Sequence, residues 1–320
     1  MSCDKFCKTN PPLSAWDPNR ETQEFEPFTS PHFCTRKQSS RMCFDFYYEH
    51  RPVELYWQTT SDRHALVIMT ALRPLGATLD GTLRSLKDAG VDRWLGPKVI
   101  ASDGLYSTAH SEHSEVISNW KVLEHHPSRG SAYTFIRTIE YLLRTFTNLD
   151  YLTIIEDDVE LCKYALDYMS QVKIPEDISF LSWFTYPYDF SGSDRRPNYE
   201  ANQASEFLPE TSLVCRSSRF FVLNQACTYP RRTLERLLAC PHIVNDWPRR
   251  NGHDEMPAWA LGDALYATHL PILVQHTGGL NSAVKLSREE IVSSSSDPQK
   301  GSRMSPLYVG ASFDASKLLL

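Results

Sequence analysis

The chain predicts an α/β fold in which a mostly parallel central sheet is flanked by helices and preceded by an irregular N-terminal extension. Three observations predict it. Short apolar runs of strand character alternate with stretches of helical period between residues 64 and 160. One of those runs stops abruptly at three adjacent carboxylates. The first 62 residues carry Pro, Asn, Ser and isolated aromatics with no sustained period.

The run His64-Ala-Leu-Val-Ile-Met-Thr70 is short, apolar and largely β-branched, as a buried strand requires, and Arg73-Pro74-Leu75-Gly76 turns the chain after it. Leu79, Leu83, Leu86 and Ala89 then recur at helical spacing until Gly90 stops the pattern. A second strand fits Lys98 to Ala101 and leads into Ser102-Asp103-Gly104. A helix is expected over Ala132 to Thr145, where Phe135, Ile139, Leu142 and Leu143 share a face and Ser131 is placed to cap the start. Tyr151 to Ile155 reads as the next strand, followed by Glu156-Asp157-Asp158 and a helix from Leu161 to Met169. Beyond residue 170 the spacing predicts strands over Phe180 to Thr185, Phe220 to Leu223 and Pro271 to Val274. It also predicts helices over Arg231 to Leu238 and Ala264 to His269, and a mobile loop over 287 to 306. The resulting division is an extension or accessory unit over 1–62, the α/β domain over 63–285 and a mobile segment over 286–320.

Composition bounds the function. A 320-residue chain with 41% hydrophobic and 22% charged residues can bury a sizeable core. No apolar run reaches the roughly 18 residues of a membrane span, and the first twenty residues lack the apolar stretch of a signal peptide, so the expected compartment is the cytoplasm. In a reducing compartment the eight cysteines are expected as thiols, although the spacing of Cys3 and Cys7 would also serve a small zinc site. A net charge of −6 provides no global basic face for nucleic acid, while the pairs Arg195-Arg196, Arg231-Arg232 and Arg249-Arg250 leave an anionic acceptor open. There is no glycine-rich phosphate loop and no Gly-x-Ser-x-Gly elbow, so neither a P-loop enzyme nor an α/β-hydrolase is expected.

Three neighbouring acids at the end of an apolar strand repel one another, and a divalent cation removes that cost. Oxygen ligands of this kind suit Mg²⁺ or Mn²⁺, which keep open positions for substrate phosphates, and the carboxyl ends of strands are where open α/β sheets bind ligands. The competing reading is a solvated acidic turn at the start of the following helix, where the dipole favours acids.

Ile154-Ile155-Glu156-Asp157-Asp158-Val159 resembles the Glu-Asp-Asp form of the Asp-X-Asp motif of GT-A glycosyltransferases, such as N-acetylglucosaminyltransferases I and IV and the lipooligosaccharide and procollagen galactosyltransferase family. Val99 to Gly104 resembles the segment that reads the nucleotide base in such enzymes. Phe221 to Asn224 with Leu234 to Leu237 is similar to their acceptor side. The resemblance implies a metal-dependent transferase that moves a sugar from a nucleotide-diphosphate sugar, a UDP-sugar by preference, to a hydroxyl acceptor with inversion. That acceptor would be a glycan, a protein or a nucleic-acid base. It implies that Asp158 ligates Mn²⁺ or Mg²⁺, that Glu156 and Asp157 hold the ribose or support the metal, and that Thr70, Arg73 and Asp103 contact the nucleoside. A histidine further along completes the metal site in several such families. His276 fills that place, or is a hydrogen-bonded loop histidine. The base that deprotonates the acceptor would be Asp263, just before a helix, or else an N-cap there, with Asp254 and Glu255 next. Aromatics in Trp183 to Asp189 and Trp259 either stack on a sugar or belong to the core, and Lys285, Arg288 and Arg303 either close over a diphosphate or are scattered charges of a flexible tail. The alternatives are a nucleotidyltransferase built on the same carboxylates and a nucleotide-sugar-binding protein without turnover.

Overall fold

Alternate residues of the run 64–71 face opposite ways, and a separate apolar core meets each face. The computed structural model describes residues 49–71, 78–104, 114–185, 211–218, 224–246, 253–254, 256–262, 264–277 and 308–319. In chain order the elements are β1 (Glu49–Pro52), β2 (His64–Ala71), α1 (Leu79–Ala89), β3 (Lys98–Asp103), β4 (Lys121–His125), α2 (Ser131–Thr145), β5 (Tyr151–Glu156), β6 (Val159–Leu161) and α3 (Ala165–Met169). They continue with β7 (Ile178–Ser182), β8 (Ser212–Ser217), β9 (Ala226–Pro230), α4 (Arg231–Leu238), α5 (Met256–Leu261), β10 (Leu265–Leu270) and β11 (Val274–His276).

Nine strands form one sheet in the order β1-β8-β10-β7-β9-β5-β2-β3-β4, while β6 and β11 form a separate two-stranded ribbon. In the parallel block β5-β2-β3-β4, β2, β3 and β5 are the strands expected from the apolar runs, while β4, a half-exposed edge strand, is not among them. Across the rest of the sheet only β8 and β9 run against the common direction. Leu66, Ile68, Ile100 and Ile155 pack on one face with Leu79, Leu83 and Leu86 of α1. Val67, Val99, Leu152 and Ile154 pack on the other with Phe135, Ile139 and Leu142 of α2. Two-sided burial explains why these strands read as continuous apolar runs rather than as an alternating pattern. Gly90 ends α1 at φ 100°, a left-handed conformation that glycine adopts without cost, and its N–H bonds back to the carbonyls of Leu86 and Lys87.

A polar chain crosses the core. His64 Nε2 and Thr153 Oγ1 share a hydrogen bond of 2.8 Å, Thr153 Oγ1 and Thr228 Oγ1 share one of 2.6 Å, and the Trp183 indole N–H donates to Thr228 Oγ1. His269 is also fully buried. Its Nδ1–H donates to the Pro271 carbonyl, which leaves Nε2 to accept the Tyr168 hydroxyl. Burial pushes His64 down to about 3 and His269 to about 4 from an ordinary 6.5. With folded values below the unfolded one, the unfolded chain binds more protons as pH drops below 6.5. Stability is therefore present above that pH and lost toward 4. Urea midpoints measured between pH 7 and 5 are expected to fall, with a limiting slope of about 1.4 kcal/mol per pH unit for each histidine. His269→Gln should remove one histidine's share, and an unchanged slope would show that His269 does not titrate in this way.

Three expectations are corrected. Leu161 to Met169 is not one helix: Val159–Leu161 is drawn into the ribbon with β11, and helix resumes only at Ala165 after Tyr164 at φ 58°. The segment 264–269 is not a helix either. Leu265–Leu270 is a strand between β7 and β8, with Tyr266 on one core and Ala267 on the other, and the neighbouring helix lies upstream at Met256–Leu261. Ser131 is the first residue of α2 rather than its cap. The Asp103 carboxylate instead accepts the N–H groups of Arg129 and Gly130. Of the two readings left open for the aromatics, Trp183 and Phe184 take the core one, buried to within 1% exposure.

Residues 49–62, read from the sequence as part of the extension, place β1 on the sheet edge against β8. Cys162, Cys215, Cys227 and Cys240 are buried and in no disulfide. Among the described residues no helix is long and apolar enough to cross a membrane. Cys3, Cys7, Phe220 to Leu223 and residues 287 to 306 lie outside the described residues.

Candidate metal and donor site

β5 delivers Glu156, Asp157 and Asp158 to the carboxyl rim of the sheet. The turn is fixed from three sides. Thr82 of α1 donates its hydroxyl to the Val159 carbonyl at 2.8 Å and accepts the Val159 N–H at 3.1 Å. The Thr70 hydroxyl, at the end of β2, donates to Asp157 Oδ2 at 2.5 Å. The Asp158 carbonyl accepts both the N–H and the hydroxyl of Thr277, at 2.7 and 2.9 Å. This last pair continues the β6–β11 ribbon, in which His276 stands opposite Val159. The ribbon brings a histidine distant in sequence to the carboxylates: His276 Nε2 lies 3.2 Å from Asp158 Oδ2.

One ligand atom each from Glu156, Asp158 and His276 fall within 4.8 Å of one another. Donors bound to a common cation at about 2.1 Å are separated by about 3 Å when adjacent and about 4.2 Å when opposite, so small adjustments close this group around an ion. Asp158 is 2% exposed and His276 5%. Among the described residues His276 Nδ1 has no hydrogen-bond partner. Two carboxylates and an imidazole in a nearly water-free setting match the N/O donor set of Mn²⁺ and Mg²⁺ sites, and a cation would offset the repulsion between the acids. Burial raises the Glu156 carboxyl above its ordinary range. A contact from His253 opposes this, and the charges of Asp254 and Asp158 reinforce it.

His253 is the residue that reading the sequence left without a role. Its N–H reaches Ser131 Oγ at 3.3 Å, its ring packs on Phe135, and its Nε2 lies 3.1 Å from Glu156 Oε1. Burial pushes this imidazole down, but the negative charges of Asp254 and Glu156 outweigh burial and hold it above its ordinary value. Nothing in its sequence neighbourhood marks it out, because the contact that positions it comes from α2.

The remaining candidates divide. Thr70, Glu156, Asp157, Asp158, His276 and Asp254 are described and line one rim. Asp103 lies at the end of β3 beside Ala71 of β2, with its carboxylate also taking the Ser128 hydroxyl at 2.8 Å. Arg73, Glu255, Asp263, Lys285, Arg288 and Arg303 lie outside the described residues, as do Tyr186 to Asp189, Arg195-Arg196 and Arg249-Arg250. Arg231 and Arg232 are committed to internal bonds: Arg231 to Glu235 and the Thr147 carbonyl, Arg232 to the carbonyls of Pro175 and Ile178. They form no open anion site.

No protein-family model matches the chain, and no curated protein does. Among solved structures it is similar to the mannosyltransferase PcManGT from Pyrobaculum calidifontis in complex with GDP-Man and Mn²⁺, with a TM-score of 0.38 and 12% identity, covering 64% of this chain and 53% of that one. The chain thus spans about half the length of that structure, and a likeness this loose carries no conclusion about activity. None of these comparisons points to the N-acetylglucosaminyltransferases or galactosyltransferases that the acidic motif resembles.

Proposed function

We propose that this chain is a metal-dependent glycosyltransferase that moves a sugar from a nucleotide-diphosphate sugar, a UDP-sugar by preference, to a hydroxyl acceptor with inversion. The observation that carries the reading is the convergence of His276 on the Glu156-Asp157-Asp158 turn at the carboxyl rim of the sheet. A solvated acidic turn has no need of a buried histidine delivered by a separate ribbon.

Asp158, His276 and Glu156 would hold Mn²⁺ or Mg²⁺, which supplies positive charge against the departing diphosphate. Asp157, tied to Thr70, fixes the strand end from which its neighbours project. Thr70, Arg73 and Asp103 would contact the nucleoside. A carboxylate takes the proton of the acceptor hydroxyl while its oxygen attacks the anomeric carbon from the face opposite the diphosphate, which inverts that centre. Asp263 is the first candidate for this base through the resemblance alone, because a strand and not a helix follows it; Asp254 and Glu255 come next.

The test incubates the purified chain with UDP-, GDP- and TDP-sugars, with and without Mn²⁺, and follows the released nucleotide. Metal-dependent release of a nucleoside diphosphate from one donor class is the expected result. Pyrophosphate as the product would replace this reading with nucleotidyl transfer. Silence across the panel, with a donor-induced thermal shift, would leave a binding protein.

A further inference from the structure

Beside the Glu156, Asp158 and His276 group, a second set of ligand atoms meets at the same carboxylate. We propose that Glu156, His253 and Asp254 form a second divalent-cation site, adjacent to the first and sharing Glu156, of the mixed imidazole and carboxylate type that takes Mn²⁺ or Zn²⁺. One ligand atom from each of the three lies within 4.8 Å of the others. Within the set, His253 Nε2 stands 3.1 Å from Glu156 Oε1 and 3.9 Å from Asp254 Oδ1. These separations fall between the values of about 3 and 4.2 Å for adjacent and opposite donors on one small cation.

A second observation points the same way. His253 is 3% exposed. Among the described residues neither of its ring nitrogens, nor Asp254 Oδ1, makes a hydrogen bond of acceptable geometry, although all three atoms are buried. Buried polar atoms without partners are costly, and here two of them face a third residue's carboxylate. The ring is held by packing on Phe135 and by the main-chain bond to Ser131, not through its nitrogens. Its Nε2 is thus positioned against the acids, 3.1 Å from Glu156 Oε1, without forming a well-aligned hydrogen bond. A proton on His253 would serve one contact, whereas a cation would serve all three donors.

The experiment uses metal alone, so it does not depend on whether sugar transfer occurs. The full chain, stripped with EDTA and dialysed, is titrated with Mn²⁺ by calorimetry, with free Mn²⁺ counted by electron paramagnetic resonance. Two equivalents are expected in the parent. Asp254→Asn and His253→Gln should each leave the equivalent that depends on His276, and His276→Gln should leave the one that depends on Asp254. Glu156→Gln should weaken both by roughly tenfold or more. Asp254 is partly exposed, so its amide variant is the one expected to fold unchanged, and melting in EDTA checks this for every variant. A single equivalent in the parent, untouched by Asp254→Asn, would overturn the second site while leaving the first. A single equivalent lost alike in Asp254→Asn and His276→Gln would replace both with one merged site. No bound Mn²⁺ would remove both.

Discussion

Asp158→Asn is expected to lower metal-dependent release of nucleoside diphosphate by about a hundredfold or more, roughly 3 kcal/mol of lost transition-state charge stabilisation. The amide keeps the volume and the main-chain carbonyl that receives Thr277, so the ribbon stays in place. It removes one negative oxygen 3.2 Å from His276. Without metal the variant carries one fewer buried charge among the acids, so in EDTA it should melt no lower than the parent. The two readouts therefore move apart: activity collapses while apo stability holds or rises. Activity within threefold of the parent would remove Asp158 from the metal site, and a large drop in melting temperature in EDTA would recast it as a structural residue.

The largest loss of stability is expected at Phe180. Its ring stacks on Tyr229 at 5.2 Å and on Tyr266 at 5.1 Å, with an 8° interplanar angle to the latter, so three strands contribute to one aromatic stack. Phe180 is fully buried. Phe180→Ala should cost about 3–5 kcal/mol, through lost transfer energy and the cavity left behind. At about 2–4 °C per kcal/mol for a domain of this size, the melting temperature should fall by about 6–20 °C. The urea m-value should not change, because the same surface is exposed on unfolding. Phe180→Leu should cost distinctly less. A drop below about 1 kcal/mol for the alanine variant would mean that the two tyrosines collapse into the space and that the stack is not rigid.

β2, β3 and β5 were legible because each is buried on both faces, which leaves runs such as Leu66 to Met69 and Leu152 to Ile155 almost free of polar residues, whereas the edge strand β4 is only half-buried and shows no such run. The helices between them were legible through the spacing of Leu79, Leu83 and Leu86 and of Phe135, Ile139 and Leu142. The β6–β11 ribbon was not, since three residues are too few to show any period. Leu161 to Met169 and Ala264 to His269 failed for a related reason. Both contain Ala, Leu and aromatics that suit either state, and strand pairing with distant partners decided the outcome. Among site residues, the Glu156-Asp157-Asp158 turn and His276 carried local signals: acids ending an apolar run, and a histidine after a short strand. His253 carried none, because its meaning depends on a bond to Ser131 and a distance to Glu156 that only the fold creates. Asp103 shows the reverse. A strand-end acid facing a presumed ligand also closes the turn into α2 through three donors of the protein itself.

The position of β9 bears on how the molecule is made. β5 and β7 follow one another among the long strands of the chain, yet they do not pair; β9, running the opposite way, lies between them. On a ribosome, β2 is finished before β5 appears, so one edge of β5 finds its partner at once. The other edge, which ends in the acids of the rim, has no native partner until residues 226–230 have been synthesised. Throughout that interval an apolar strand keeps a row of open amide and carbonyl groups, so the centre of the finished sheet begins as its edge.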